Sequence, residues 1–143
     1  MKWLFPLFLA LSVSCATTNN PPPLSPLLPS KTLNKDSFFI SLGETKTVFL
    51  RKQGSAYHIA KIRNGVHKET DVVIFEYYYN GPAVQLTVRS FVNVPFITYD
   101  CFFMNVNLAK QTTIMDVPQN VPVGEIWQVA TRTLLIENIH EAK

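Results

Sequence analysis

The chain is poor in glycine and cysteine, and both shortages exclude classes of function. It has five glycines and two cysteines in 143 residues. The glycines are isolated from one another, so there is no glycine-rich phosphate loop, and Rossmann or P-loop nucleotide binding is excluded. The absence of a Cys-x-x-Cys pair excludes zinc-ribbon and thioredoxin-like sites. We therefore predict a protein without a cofactor.

Catalytic motifs are also lacking. The three histidines, His58, His67 and His140, do not have the spacing of metal ligands, and no Gly-x-Ser-x-Gly elbow supplies a nucleophile. His58 would approach Asp71 if the strands around the intervening loop pair, but a His–Asp pair without a nucleophile is only part of a catalytic triad. We predict no catalytic residue, no metal site and no enzyme.

Strong net charge is absent as well. The formal charge is +3 at pH 7, too small for the basic surface of a typical nucleic-acid-binding domain. No Asn-x-Ser/Thr glycosylation acceptor occurs, which fits a bacterial source. Nucleic acid is therefore not a predicted partner.

The only long apolar run lies at the start, and it is too short to span a membrane. The run extends from Trp3 to Leu11 and contains Pro6, whereas a spanning helix needs about 20 apolar residues. The preceding Lys2 and the small residues that follow are typical of a cleaved export signal. We therefore predict a signal peptide over 1–14.

The first fifteen residues resemble the signal of bacterial lipoproteins. In that class, cleavage leaves a cysteine as the first residue, and this cysteine receives lipid; here it is Cys15, with Ser12 and Ser14 at the small-residue positions. The resemblance implies acylation of Cys15. Ala16, where an Asp would retain the protein at the inner membrane, implies the outer membrane and a domain facing the periplasm. The alternative is an ordinary signal cut near Ala16, which would release a soluble periplasmic or secreted protein.

A proline-rich linker is predicted to follow, over 15–35. Its prolines are Pro21, Pro22, Pro23, Pro26 and Pro29. Prolines at this density favour an extended polyproline II stalk of about 3.1 Å per residue, although a tail without a role is equally compatible. The remaining residues, 36–143, are enough for one hydrophobic core.

Alternating polar and apolar residues dominate this domain, and turn residues recur every eight to twelve positions. We predict an all-β fold, a single two-sheet β-sandwich of immunoglobulin-like or Greek-key type with seven to eight short antiparallel strands; a small β-barrel is the alternative. The predicted strands are Ser37–Leu42, Lys46–Arg51, Tyr57–Arg63, Asp71–Tyr79, Ala83–Phe91, Pro95–Leu108 and Val123–Ile139.

A hairpin is predicted around Asn80-Gly81-Pro82. Because proline has no amide hydrogen to close an Asn-Gly turn, we predict a four-residue loop over Asn80–Ala83. The predicted register pairs Tyr79 with Val84, Tyr77 with Leu86 and Phe75 with Val88. By contrast, a tight turn at Asn64-Gly65 would place Lys61 opposite Lys68, so a longer polar loop is predicted over Arg63–Thr70.

Three further features bear on function. Cys101 shares a strand side with Phe103 and is interpreted as a packing residue, with a reactive or intermolecular thiol as the alternative. The segment Thr45–Lys68 contains no acidic residue, so Lys61, Arg63 and Lys68 are candidate partner-binding residues; the alternative is a charged edge that blocks aggregation. Tyr78 is predicted to face outward as a partner anchor, unless it fills the space between two sheets.

Together these features predict an outer-membrane lipoprotein acting as a non-enzymatic binding or scaffold module in an envelope assembly. Its partners would be the membrane, through Cys15, and an envelope protein. One alternative is a periplasmic inhibitor or protective binder of a hydrolase or toxin. Another is a hydrolase whose site is assembled from residues distant in sequence.

Overall fold

The computed structural model describes residues 34–54, 56–105, 108–129 and 131–143, and within them it contains strands and turns but no helix. The signal peptide, Cys15 and almost all of the linker lie outside these residues. The strands are β1 (Ser37–Ser41), β2 (Thr45–Gln53), β3 (Ala56–Asn64), β4 (Val72–Asn80), β5 (Ala83–Ser90), β6 (Phe96–Asn105), β7 (Leu108–Thr112), β8 (Val117–Pro118), β9 (Pro122–Trp127) and β10 (Thr133–Glu141).

The strands form one antiparallel sheet that curls into a half-barrel. The hydrogen-bonded order is β7-β6-β10-β3-β2-β4-β5-β9, with β1 also on β10 and β8 also on β6. The all-β prediction is confirmed. The two-sheet sandwich is not confirmed, because strand pairing is continuous along this path, and the barrel-like alternative fits.

Two predicted strands are each divided in the structure. Asn105 at the end of β6 pairs with Leu108 at the start of β7, so the strand predicted over Pro95–Leu108 ends early. The strand predicted over Val123–Ile139 is broken between Trp127 and Thr133. In both places the sequence lacks the glycine or proline that marks a turn, so its alternating pattern concealed the break.

The predicted β4–β5 register is confirmed. Phe75 faces Val88, Tyr77 faces Leu86 and Tyr79 faces Val84. The loop is shorter than predicted, because Asn80 pairs with Ala83 and only Gly81 and Pro82 lie between them. Gly81 has φ of 60°, the conformation that a glycine-first two-residue turn requires, and Ala83 supplies the amide that proline lacks.

The core lies inside the curve of the sheet. Phe75 is fully buried, and its ring meets Phe38 and Tyr99 edge-on, with 5.3 Å between centroids in each case. These contacts join β4 to β1 and β6, which lie in different parts of the strand path. Alternation along β2 directs Val48 and Leu50 into this core, so Phe49 between them faces outward.

Candidate functional site

The outer face of β2 and β3 carries a cluster of cations around one aromatic ring. Phe49 pairs with Lys61, and Thr47 pairs with Arg63. The Lys61 Nζ atom lies 5.6 Å from the centroid of the Phe49 ring, and the Arg63 Cζ atom lies 5.4 Å from it. Both distances are within the range of cation–π attraction. The ring therefore holds both cations on the outer surface.

The loop from Gly65 to Asp71 adds His67 to this surface. The Thr47 hydroxyl donates to the Gly65 carbonyl at 2.6 Å and accepts from the His67 amide at 3.1 Å. These bonds fold the loop over β2 and bury Thr47 completely. The His67 ring then lies 6.5 Å from the Phe49 ring, measured between centroids. We call Phe49, Lys61, Arg63 and His67 the basic–aromatic cluster.

Two other lysines, both on β2, each have an acidic partner. Lys46 lies 3.3 Å from a Glu44 carboxylate oxygen, and Lys52 lies 3.7 Å from one of Glu141. Within the described part of the chain, Lys61 and Arg63 have no ion-pair partner, and both are exposed. Their charge is therefore available to a ligand.

The other two candidate residues lie elsewhere. Lys68 lines a separate groove with Phe91 and Asn120, and no residue of the basic–aromatic cluster lines that groove. Tyr78 faces outward, 38% exposed, and its hydroxyl is 3.0 Å from that of Thr87 on β5. The structure thus brings together Lys61 and Arg63 but places neither Lys68 nor Tyr78 in the cluster.

Sequence reasoning missed a second aromatic surface near Tyr78. A cavity of about 610 Å³ lies where the turn after β1, the end of β4 and the start of β10 meet; Leu42, Tyr79 and Arg132 are among its lining residues. Tyr79 is 64% exposed, although alternation places it on the core side with Tyr77. The signal that could have revealed its exposure is its position next to the Asn80-Gly81 turn, at the end of β4.

His58 has a different partner from the one considered in the sequence. β2 lies between β3 and β4, so β3, which carries His58, does not pair with β4, which begins directly after Asp71. Instead, the His58 Nδ1 atom lies 2.7 Å from a carboxylate oxygen of Asp36, whose other oxygen accepts the Ile59 amide at 2.9 Å. Among the described residues, no hydroxyl or thiol lies within hydrogen-bond distance of the His58 ring.

The Asp36 carboxylate fastens the start of β1 to β3. Burial raises the pKa of Asp36, but the hydrogen bonds from His58 and the Ile59 amide, together with the nearby charges of His58 and Lys35, outweigh that effect and lower the pKa overall. The carboxylate is therefore ionised at neutral pH, and the pair has the geometry of a structural contact.

Cys101 is a core residue. It is completely buried, and burial, with a smaller effect from Glu125, raises the pKa of its thiol to about 12. A thiol in this environment is neither a nucleophile at neutral pH nor accessible to a second chain. This geometry agrees with the packing interpretation rather than with the reactive or intermolecular thiol.

No family model, curated protein or solved structure matches this chain. The described residues contain no group of His, Cys, Asp and Glu side chains arranged to hold a metal ion. Over the same residues, the chain forms no apolar helix of the length needed to cross a bilayer.

Proposed function

We propose that this chain is a lipoprotein anchored to the outer membrane through Cys15, and that its half-barrel is a non-enzymatic binding module in an envelope assembly facing the periplasm. The observation that carries the proposal is the basic–aromatic cluster, in which Lys61 and Arg63 lie against Phe49 with no acidic partner among the described residues. The resemblance of residues 1–15 to lipoprotein signals supports the location.

The cluster has the composition of a protein-binding surface. Arginine and aromatic residues are enriched in interfaces and contribute much of their binding energy. A cation held against a ring keeps less conformational freedom than a free side chain, so less entropy is lost when a partner binds. Because Lys61 and Arg63 are not neutralised, an acidic partner would gain attraction without first breaking an ion pair.

Crosslinking in the native envelope tests the binding module. The full chain is expressed with an affinity tag at its C-terminus, crosslinked in cells, captured, and its companions identified by mass spectrometry. We expect one abundant envelope protein with the natural chain and strong loss of it with Lys61→Glu/Arg63→Glu. The matched control is Lys110→Glu/Lys143→Glu, which changes the same charge at two exposed positions outside the cluster.

Two outcomes would contradict the proposal. Capture that is equally weakened by both double variants would show dependence on net charge rather than on this surface. A soluble one-to-one complex with a hydrolase or toxin would instead support the inhibitor or protective binder.

The anchor is tested separately. Growth with a labelled fatty acid should label the natural chain and leave Cys15→Ala unlabelled, and the variant should move from the membrane fraction to the soluble fraction. Persistent attachment requires more than one acyl chain, so the modified terminus is also measured by mass spectrometry. Label retained on Cys15→Ala would reject this site of lipidation.

A further inference from the structure

The edge of β3 that faces away from β2 is open along most of its length. β3 pairs with β2 from Ala56 to Asn64, but it pairs with β10 only at Ala56, opposite His140. Beyond that point β10 pairs with β1 instead, beginning at Ser37 opposite Glu137. From Ile59 to Asn64, no described strand lies on this edge.

This edge already binds a carboxylate. The Ile59 amide donates to an oxygen of Asp36, not to β2. At the other end of the edge, the Gly65 amide donates to the Thr45 carbonyl, toward β2. Since the direction of the backbone groups alternates along an antiparallel strand, the N–H and C=O groups of Ile62 and the N–H group of Asn64 face the open side. The Asn64 carbonyl already contacts the His67 Nε2 atom at 3.1 Å. The register shift in β3 opposite Phe49 and Leu50 explains why odd-numbered Ile59 but even-numbered Ile62 directs its backbone groups to the open side.

The side chains beside the edge differ on the two faces. Lys61 and Arg63 lie on the outer face, in contact with Phe49. Ile62 lies between them on the opposite face and is 37% exposed. An added strand would therefore meet positive charge on one face and an apolar side chain on the other.

We propose that the open edge of β3 binds an extended segment of a partner protein by strand addition, and that this segment alternates acidic and apolar residues. The inference rests on the proposed function and names the chemistry of its partner. The backbone groups of β3 supply the ladder, while the two faces select the side chains, as in other edge-binding domains.

The observations favour this occupant over a second copy of the chain or a lipid surface. A second copy would place like charges beside Lys61 and Arg63, which is the usual protection against self-pairing of edges. A phosphate headgroup would pair with the cations but has no backbone groups that could form a β-ladder with β3.

The outer edge of β9 is less suitable for strand addition than the edge of β3, because β9 begins at Pro122, which has no amide hydrogen.

A set of synthetic peptides tests the proposal with the full chain. The parent peptide is short, capped at both ends, fluorescently labelled, and alternates Glu and Val; a second has Lys in place of Glu. Two further copies of the parent carry N-methyl groups on alternate residues, one copy methylated on the odd positions and the other on the even positions. Binding is followed by fluorescence anisotropy.

We expect the parent to bind and the Lys peptide to fail. One N-methylated peptide should bind like the parent and the other at least about tenfold more weakly, because only one set of amides faces β3. Lys61→Glu/Arg63→Glu should weaken the parent by a similar factor, and Lys110→Glu/Lys143→Glu should not.

Equal binding of both N-methylated peptides, or no binding of the parent, would overturn strand addition. Vesicles containing phosphatidylglycerol that bind through Lys61 and Arg63, while the parent peptide does not, would assign the surface to a membrane instead. If capture in the envelope still depends on Lys61 and Arg63, the binding module stands although strand addition fails. If capture is independent of them, the proposed function itself fails.

Discussion

Phe49 and Phe75 are the same kind of side chain in two opposite environments, on the neighbouring strands β2 and β4. Phe75 faces the interior and is surrounded by other rings, with Phe38 and Tyr99 edge-on to it. Phe49 faces outward, is half-buried and is surrounded by Lys61, Arg63 and His67. The first ring joins strands that are distant in the sheet, whereas the second orders charges at the surface.

One strand, β2, contributes to the core on one face and to the proposed binding surface on the other. β2 directs Val48 and Leu50 into the core and Thr47 and Phe49 outward. Because period-two alternation separates the two faces, changes on the outer face leave the core contacts intact. The interior should therefore dominate stability, and the outer face should dominate binding.

The largest loss of stability is expected from removing the Phe75 ring. Phe75→Ala leaves a cavity between β1, β4 and β6 and should reduce the free energy of unfolding by about 3–5 kcal/mol. Chemical denaturation monitored by near-UV circular dichroism measures the change. Phe49→Ala is the matched control, since it deletes the same atoms on the other face. Equal losses for the two variants would contradict the division between interior and outer face.

An intermediate loss of stability is expected from a change at Asp36, which connects the start of β1 to β3. Asp36→Asn keeps the shape but removes the charge that His58 and the Ile59 amide contact, so it should reduce the free energy of unfolding by about 1–3 kcal/mol at pH 7.

The same contact should make stability depend on pH. The pKa of Asp36 is lower in the folded state than in the unfolded state, so its contribution is complete above about pH 4 and is lost as the pH falls through the folded value. The difference between the natural chain and Asp36→Asn should accordingly shrink below pH 4. Denaturation curves at several pH values measure it, and a difference that does not shrink as the pH is lowered would contradict the assignment.

Part of the strand pairing could be predicted from the sequence, and particular residues show which part could not. The register of β4 and β5 followed from matching apolar faces, and the loop after Asn64 followed from the repulsion of Lys61 and Lys68. Both depend on neighbours along the chain. The continuous sheet did not follow, because the pairing of β10 with β1, β3 and β6 joins segments far apart in sequence.

The candidate site was predicted in part for the same reason. Local composition identified Lys61 and Arg63 as unneutralised, but it also included Lys68, which lines a different groove, because composition does not show which residues a folded loop brings together. Phe49 was not singled out, since its role depends on the β2–β3 register and on the loop that carries His67. Asp36 was missed because its partner lies 22 residues away, across two strands.

A smaller loss of stability is expected from the outer ring. Phe49→Ala removes half-buried apolar area and two cation–π contacts, so it should reduce the free energy of unfolding by about 1–2 kcal/mol. Its effect on binding should be larger than this suggests, because Lys61 and Arg63 lose the ring that orients them. Phe49→Leu, which restores much of the area without the ring, separates the two effects: it should recover stability and leave peptide or partner binding weak. Full recovery of binding by leucine would show that the ring acts only by packing.

The smallest effect on folding is expected from the charges themselves. Lys61→Glu/Arg63→Glu should change the free energy of unfolding by less than about 1 kcal/mol, because exposed charges and exposed cation–π contacts contribute little, and repulsion between two cations is replaced by similar repulsion between two carboxylates. Denaturation at low and high salt measures this, and the difference between the variant and the natural chain should narrow as salt screens the cluster. A loss as large as that of Phe49→Ala would mean that the cations hold the β2–β3 pair together, and their lack of acidic partners would then be a feature of folding rather than of binding. A small loss of stability together with a loss of partner binding would show that the surface around Phe49 differs in role from the core around Phe75.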